Sequence, residues 1–178
     1  GNLIRKRFNE NNPLSSEEIS QLMKGIFSGL TYLHSLNIIH RDLKTGKHCC
    51  VLQPENVLIS DPNDLSKVKI ADLGLSIKVE VNSSKPYDHC GTLLFMAPEV
   101  VRKHPYNKPI DVWSCAVILY MLFNGGAHPL GIKSKISSED YLAMMRHRWP
   151  KLNDQYRRNH TQLGWLKVSY RNWLNTIQ

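Results

Sequence analysis

Apolar residues in the first part of the chain recur every three or four positions from Ile19 to Leu33. This spacing places them on one face of an α-helix. Ser15 and Glu18 precede the stripe at the spacing of a capping box, in which each side chain accepts a hydrogen bond from the backbone N–H of the other residue. We therefore predict an amphipathic helix that begins near Ser15, ends near Leu36 and packs its apolar face against a core.

Two short runs of β-branched and apolar residues, Val57–Ile59 and Val68–Ile70, lie on either side of a segment rich in Asp, Asn, Ser and Pro. Such residues favour turns, and apolar runs on both sides of a turn predict a β-hairpin. Closure of this hairpin would bring Asn56 and Asp72, at its two outer ends, near each other. The earlier pair Ile38-Ile39 predicts one more short strand.

The second half of the chain contains a stretch, 110–123, that is apolar on nearly all sides. A helix with this pattern is buried at the centre of a protein, and this one is too short to span a bilayer. Asp111, in its first turn, can accept backbone N–H groups there. A further capped helix is predicted over 137–145. The stretch 72–99 shows no clear periodicity, which predicts a long ordered or switchable loop.

Composition changes this picture little. With 178 residues and 42% apolar content, the chain can form one compact core. Its first residues are basic but are not followed by the apolar segment of a signal peptide. The four cysteines, Cys49, Cys50, Cys90 and Cys115, do not have the spacing of a zinc site. We therefore expect reduced thiols and an intracellular, cytoplasmic protein.

The net charge of +8 is concentrated at the C-terminal end. Residues 146–178 hold seven Lys or Arg against one acid, which leaves about +2 for the first 145 residues. Three tryptophans lie in or next to this basic stretch, and basic residues among aromatic ones can bind nucleic acid or acidic lipid. A solvated basic surface is the simpler interpretation, and no nucleic-acid-binding motif accompanies it, so we expect no nucleic-acid partner.

The residues that can carry chemistry occur as a series of short motifs. The first three are His-Arg-Asp-Leu-Lys at 40–44, Glu-Asn at 55–56 and Ala-Asp-Leu-Gly at 71–74. The next three are Cys-Gly-Thr at 90–92, Ala-Pro-Glu at 97–99 and Asp-Val-Trp-Ser at 111–114. In this order they resemble the motifs of the larger, C-terminal lobe of a eukaryotic protein kinase. Within that family the chain is most similar to the calcium/calmodulin-dependent-like serine/threonine kinases. The resemblance covers about residues 1–145.

The resemblance implies a mainly α fold, a protein-kinase-like C-terminal lobe over 1–145 with a small β-hairpin at the catalytic cleft. The α/β N-terminal lobe, with its glycine-rich loop and strand lysine, would precede Gly1 and is absent from this chain. We therefore expect the chain alone to be inactive and to bind ATP weakly. Residues 146–178 form a basic divergent tail that the resemblance does not assign.

By the same resemblance, five residues take direct roles in phosphoryl transfer. Asp42 would accept the proton of the substrate hydroxyl, and Lys44 would neutralise the phosphoryl group in transfer. Asn56 and Asp72 would hold the Mg²⁺ ions that bridge the phosphates of ATP. Leu58 would form the floor under the adenine ring.

Four further residues would support this site. Arg41 can pair with a phosphate on the loop, because its planar fork suits phosphate oxygens, and phosphorylation control is the hypothesis that follows. The Thr92 hydroxyl would bond the catalytic Asp and Lys. Glu99 would pair with an arginine near the end of the lobe, for which two arginines of the tail are candidates. Asp111 would be structural.

The catalytic-loop motif is interrupted in this chain. Asn56 lies fourteen residues after Asp42, whereas the family pattern places it five residues after the Asp. The nine extra residues, 45–53, are either a real loop or a short retained intron, since they make a whole number of codons. A loop that bulges outward costs little closure entropy, but the base and the metal ligand must keep their relative positions for catalysis.

We therefore expect a serine/threonine protein kinase that transfers the γ-phosphoryl group of ATP to Ser or Thr of protein substrates, as part of a longer chain. Lys44 and Thr92 favour this class over tyrosine kinases. Calmodulin and an upstream kinase are candidate regulators. The alternative is a non-catalytic, pseudokinase-like binding module in which the insertion disables metal binding. All four polar residues of the site are present, which favours the catalytic interpretation.

Overall fold

The structure, a computed structural model, describes residues 14–44, 56–61, 63–80, 84–133 and 135–148. The insertion at 45–53 and the tail beyond residue 148, including its two candidate arginine partners for Glu99, lie outside these described residues. The predictions made for those segments therefore stay predictions.

The described residues form four α-helices, four short strands and two 3₁₀ turns. The helices are α1 (Ser16–Ser35), α2 (Pro98–Val101), α3 (Pro109–Phe123) and α4 (Ser138–Arg148). The strands are β1 (Ile38–Ile39), β2 (Val57–Ile59), β3 (Val68–Ile70) and β4 (Ile77–Lys78), and the 3₁₀ turns are Leu73–Leu75 and Leu93–Phe95.

Helix α1 confirms the capping box and the apolar stripe. The Ser15 hydroxyl accepts a hydrogen bond from the Glu18 N–H at 3.2 Å, and the Glu18 carboxylate accepts one from the Ser15 N–H at 2.7 Å. The helix ends one residue before the predicted Leu36, which caps it. Six residues of the stripe are buried in the core, which are Ile19, Leu22, Met23, Ile26, Leu30 and Leu33.

The predicted hairpin is also confirmed. Strands β2 and β3 pair antiparallel, with Val57 opposite Ile70. The hairpin packs against α1 at Gly25, where a Cβ atom would lie 2.3 Å from the carbonyl oxygen of Ser66. A side chain at this position would overlap the hairpin backbone, so glycine permits the close approach of the two elements.

Helix α3 lies at the centre of the core, as its apolar pattern predicts. Nine of its residues are buried and two, Pro109 and Val112, are exposed, so the helix is covered on most sides. The predicted helix over 137–145 is present as α4, which continues to Arg148. Ser137 caps it, because its hydroxyl accepts a hydrogen bond from the Asp140 N–H at 3.0 Å.

The stretch 72–99 is more ordered than a plain loop. It contains β4, both 3₁₀ turns and the start of α2. Strand β4 pairs antiparallel with β1, with Ile77 opposite Ile39. These elements have two to four residues and, unlike β2 and β3, do not lie on either side of a turn-rich segment, so neither periodicity nor turn chemistry revealed them. None of the described helices has the length and apolar character needed to cross a membrane.

Candidate active site

The backbone of the His-Arg-Asp turn is held by a buried carboxylate from α3. Asp111 is fully buried, and its two oxygens accept hydrogen bonds from the N–H groups of His40 and Arg41, each at 2.9 Å. A ring nitrogen of His34, in the last turn of α1, lies 2.8 Å from the same carboxylate. The pattern had suggested that Asp111 accepts N–H groups of its own helix. It instead fastens the catalytic-loop segment to the central helix.

The side chain of Asp42 is held at both of its oxygens. Lys44 donates to one carboxylate oxygen at 2.6 Å, and the Thr92 hydroxyl donates to the other at 2.8 Å. Asp42 is 7% exposed, so the carboxylate has a fixed orientation in a largely desolvated position. Gly91, beside Thr92, has a positive φ of 102°, and a Cβ atom there would lie 2.4 Å from the carbonyl oxygen of Arg41. Only glycine allows Thr92 to approach this closely.

Asn56 contacts Asp42 although it lies fourteen residues later in the chain. Its side-chain amide donates to the carbonyl oxygen of Asp42 at 2.7 Å, and Asn56 is buried. Because the bond uses the Nδ2 atom, the amide oxygen remains for a ligand. In the described part of the chain, the base candidate and the metal-ligand candidate are therefore joined directly.

His40 connects this loop to the stretch that carries Asp72. Its Nδ1 atom accepts from the Asp42 N–H at 3.3 Å, so its Nε2 atom carries the hydrogen and donates to the Ala71 carbonyl oxygen at 3.0 Å. Asp72 follows with a left-handed φ of 60° and caps the 3₁₀ turn through Gly74, whose N–H lies 3.3 Å from its carboxylate. Its side chain is exposed.

The apolar side chains next to this carboxylate are exposed as well. Leu58, the residue expected under the adenine ring, is 41% exposed, and Leu73 is 48% exposed. Leu58 lies between the inward-packing residues Val57 and Ile59 of β2, whereas Leu73 begins a 3₁₀ turn that has no buried residue. Among the described residues, the side of the site beside Asp72 is consequently exposed, in contrast to Asp42.

Arg41 has partners that the sequence did not reveal. Its Nε atom donates to the Leu75 carbonyl oxygen at 2.6 Å, and one terminal nitrogen donates to Asp88 at 2.8 Å and to the Tyr106 hydroxyl at 3.0 Å. Burial raises the pKa of Tyr106 to about 12, so this phenol stays protonated. The only signal available for Asp88 was a lone acid within the irregular stretch, which has no periodicity to orient it.

The segment after Thr92 is fastened from three directions. Ser114 of α3 donates to the Phe95 carbonyl oxygen at 2.8 Å. His128 lies 2.9 Å from the Leu94 carbonyl oxygen through Nε2, and the Tyr141 hydroxyl donates to the same oxygen at 3.2 Å. Burial lowers the pKa of His128, which favours the neutral ring in this position. Neither His128 nor Tyr141 belongs to a recognisable motif, so the sequence alone did not mark them.

Glu99 forms no side-chain ion pair within the described ranges. It lies in the first turn of α2, where a carboxylate is favoured by the helix dipole. The pairing expected for it involves residues of the tail and stays a prediction.

The donor set near Asp42 fits a magnesium–nucleotide complex. Asn56 offers one neutral amide oxygen, and Asp72 offers an exposed carboxylate at the end of the same hairpin. Mg²⁺ is commonly held by one or two protein oxygens while substrate phosphates and water fill the remaining positions. Two oxygens of this kind are therefore sufficient on the protein side.

Comparison with known proteins identifies the class and then the family. A buried aspartate, flanked by a lysine and a hydroxyl and joined to an asparagine, is the arrangement of a kinase-type transferase. The family model of the protein kinase domain matches residues 1–165. The chain belongs to the protein kinase family, which confirms the resemblance read from its motifs.

Two curated relatives have the same printed description, calcium/calmodulin-dependent protein kinase type II. The protein of Caenorhabditis elegans is 38% identical over 135 residues, which cover 71% of this chain and 17% of that relative. The protein of Caenorhabditis briggsae is 37% identical over 135 residues, which cover 71% of this chain and 23% of that relative. The chain thus spans about a fifth of the length of these relatives.

Proposed function

We propose that this chain carries the catalytic loop of a serine/threonine protein kinase, which transfers the γ-phosphoryl group of ATP to Ser or Thr of protein substrates. The observation that carries the proposal is the fixed carboxylate of Asp42, with Lys44 at 2.6 Å on one oxygen and Thr92 at 2.8 Å on the other. The relatives, described as calcium/calmodulin-dependent protein kinases, support the protein kinase activity, and Lys44 and Thr92 favour the serine/threonine class.

In this proposal, Asp42 accepts the proton of the substrate hydroxyl as the oxygen attacks. Phosphoryl transfer depends on positioning and on charge neutralisation more than on covalent help from the protein. Lys44 serves the second need, because its ammonium group lies beside the base and can neutralise an incoming phosphoryl oxygen. Thr92 keeps the carboxylate in one orientation through its hydrogen bond to the oxygen that Lys44 does not contact.

Asn56 and Asp72 are the residues that would hold magnesium. Magnesium bound there supplies charge neutralisation for the phosphates of ATP. Asn56 is positioned by its bond to the Asp42 backbone, so the amide oxygen and the base move as one unit. Leu58 and Leu73, both exposed on this side, are proposed to contact the nucleotide or the part of the kinase that covers it.

The lobe assignment, the domain boundary and the regulators belong to the same proposal. We infer that residues 1–145 form the C-terminal lobe of a longer kinase and that 146–178 are a separate basic tail. Calmodulin is the candidate regulator that the relatives' printed name suggests. An intracellular, cytoplasmic location follows from a kinase of this class.

The test is phosphoryl transfer by the full-length protein to a Ser/Thr peptide library, with magnesium and ATP. Asp42→Asn keeps the shape of the side chain but removes the base, and we expect a rate lower by about 10²–10⁴-fold. Asp61→Asn changes a partly exposed aspartate of the hairpin turn, whose carboxylate pairs with the exposed Lys67, and is the matched control, with activity within about twofold. Transfer to tyrosine peptides only would contradict the assigned substrate class.

The binding-module alternative makes a different prediction for the same preparation. If the insertion disables the metal site, the wild-type protein transfers no phosphate, and Asp42→Asn changes nothing. Titration of magnesium–ATP into both proteins then tells whether the nucleotide site exists at all. Wild-type activity that depends on Asp42 excludes the alternative.

A further inference from the structure

The Arg41 side chain, next to the proposed base, forms an ion pair with Asp88, an acid of the irregular stretch 72–99. It is therefore already paired without a phosphate. We propose that Asp88 is a built-in anionic partner of Arg41, which positions residues 84–92 against the catalytic loop without phosphorylation of the chain. The inference rests on the proposed kinase function and specifies its regulation. It runs against the phosphorylation control that Arg41 suggested in the sequence.

The guanidinium group of Arg41 has hydrogen-bond acceptors on several sides. The side chain is 10% exposed, and it donates to the Leu75 carbonyl oxygen, to Asp88 and to the Tyr106 hydroxyl at 2.6, 2.8 and 3.0 Å. A guanidinium group with so little solvent needs an anion nearby. Asp88 is the acid that supplies it among the described residues, and the chain itself encodes that charge.

Asp88 is suited to this role because it stays ionised. Its hydrogen bond to Arg41 lowers the pKa of the carboxyl below the ordinary aspartate value. A lowered pKa means that the ion pair is fully formed above that ordinary value and is lost only as the pH falls through the lowered one. At neutral pH the negative charge of Asp88 is therefore always present, whereas a phosphate must be added and can be removed.

A second contact fastens the same segment at a neighbouring position. The Tyr106 backbone N–H donates to the Pro86 carbonyl oxygen at 2.9 Å, and Pro86 is buried. The Cys90 sulfur lies 3.9 Å from the Tyr106 hydroxyl, the group that also contacts Arg41. Three positions of 84–92 thus converge on Arg41 and Tyr106, while Tyr87 between them is 67% exposed.

The contact between Asp88 and Arg41 is linked to the proposed base, Asp42, through residues that are neighbours in the chain. Arg41 precedes Asp42 directly, and Gly91, which packs against the Arg41 carbonyl, precedes Thr92. Thr92 donates to Asp42. Asp88 therefore acts as a positioning residue, because it holds the segment that delivers Thr92 to the carboxylate. A phosphate on Ser84 would find the nitrogen of Arg41 that faces the segment already occupied.

The first experiment measures order rather than activity. The full-length protein is treated with phosphatase, shown by mass spectrometry to carry no phosphate, and followed by hydrogen exchange of the amides in 84–92. We expect protection in the wild type and roughly tenfold faster exchange in Asp88→Asn, since a charge-assisted hydrogen bond is lost. Asp88→Glu should restore part of the protection. His89→Asn, an exposed neighbour, is the matched control and should exchange like the wild type.

The same four proteins are then assayed for peptide phosphorylation. We expect the phosphatase-treated wild type to keep its activity within about twofold, Asp88→Asn to lose about tenfold in kcat/KM, and Asp88→Glu to recover part of it. A structural contact without relevance to the base would leave kcat/KM unchanged, which would overturn the positioning role.

Two other outcomes would also overturn the proposal. These are an unprotected segment in the unphosphorylated wild type that becomes protected on phosphorylation, and equal exchange in wild type and Asp88→Asn. If no protein transfers phosphate but the exchange difference is present, the kinase assignment fails and the anchoring by Asp88 stands. We expect the variants to fold, because the Asp88 side chain is 59% exposed.

Discussion

The two sides of the candidate site are built differently. On the base side, Asp42 is 7% exposed and both of its oxygens are engaged by neighbouring side chains. On the nucleotide side, Asp72 is exposed and Leu58 and Leu73 are 41% and 48% exposed. The described residues therefore complete the first half of the site internally and leave the second half open.

This difference has a physical origin in what each half must bind. A general base needs one orientation and a limited number of water molecules, and buried hydrogen bonds from the core provide both. A metal–nucleotide site must admit a large, highly charged ligand that brings its own phosphate oxygens, so its protein ligands have to face outward. The base side is held by α3 through Asp111, whereas the side chains of the other half are exposed, as a site for a large ligand requires.

The largest stability effect should come from the anchor of the base side. Asp111→Ala leaves the N–H groups of His40 and Arg41 without acceptors in a buried position, and each such group costs about 1–3 kcal/mol. We expect a loss of about 3–5 kcal/mol in the free energy of unfolding. In thermal unfolding of the full-length protein, the kinase-domain transition should fall by roughly 10 °C. Phosphoryl transfer should be lost with it.

Asp111→Asn is the graded companion of that variant. Its amide oxygen can accept one of the two N–H groups, while its NH₂ group faces the other, so a smaller loss of roughly 2 kcal/mol is expected. If Asp111→Ala melts within about 2 °C of the wild type, the base side does not depend on α3, and the contrast between the two halves is wrong.

A second, smaller effect concerns the hairpin that carries the nucleotide side. Although its outer face is open, its inner face touches α1 at Gly25, where a Cβ atom would lie 2.3 Å from the Ser66 carbonyl oxygen and 2.7 Å from the Val68 side chain. Alanine is normally favoured over glycine inside a helix by about 1 kcal/mol. Gly25→Ala should reverse this and destabilise the protein by about 2 kcal/mol, because overpacking outweighs the helix propensity. Urea unfolding measures it.

Gly29→Ala, one turn further along α1, is the matched control. A Cβ atom there would lie 3.1 and 3.2 Å from the outer atoms of the Ile70 side chain, which can move by a few tenths of an ångström. We expect no loss, or a gain of up to about 1 kcal/mol. Equal destabilisation by both substitutions would mean that the hairpin does not rest on α1 at one tight point.

The elements that the sequence predicted correctly are those in which local chemistry agrees with the packing. Helix α1 is indicated by Ser15, Glu18 and a stripe of apolar residues, and α3 is indicated by its apolar composition. Both signals arise from burial along a regular element, and burial is what hydrophobic periodicity reports. The hairpin was predictable because turn residues separate two short apolar runs.

The contacts that the sequence could not predict join residues far apart in the chain. Asp111 had a plausible partner in its own helix turn, yet it contacts residues about 70 positions away. Asp88 and Tyr106 reach Arg41 from separate segments, and His128 holds Leu94 across 34 positions. Motif resemblance marked the candidate catalytic side chains, but no local pattern encodes which carboxylate neutralises which cation. That choice depends on the tertiary fold.

The smallest stability effect is expected at Asp72, where the comparison is sharpest. The side chain is exposed and accepts a hydrogen bond from the N–H of Gly74 at 3.3 Å as the cap of the 3₁₀ turn. Asp72→Ala removes this cap and places alanine at a left-handed φ, so the free energy of unfolding should fall by about 1 kcal/mol. Phosphoryl transfer should nevertheless fall by about 10³-fold, since a magnesium ligand supplies several kcal/mol of transition-state stabilisation.

Asp72→Ala should thus lose activity with little loss of stability, whereas Asp111→Ala should lose both. The measurement is the same pair of assays on both variants of the full-length protein, thermal unfolding and transfer to a Ser/Thr peptide at saturating magnesium. Raising the magnesium concentration above the level that saturates the wild type should recover part of the Asp72→Ala activity, because the remaining ligand candidate, Asn56, is still bonded to the Asp42 backbone. A loss of stability in Asp72→Ala as large as that in Asp111→Ala would show that the open side is held as tightly as the base, and the two halves would then not differ in the way the geometry indicates.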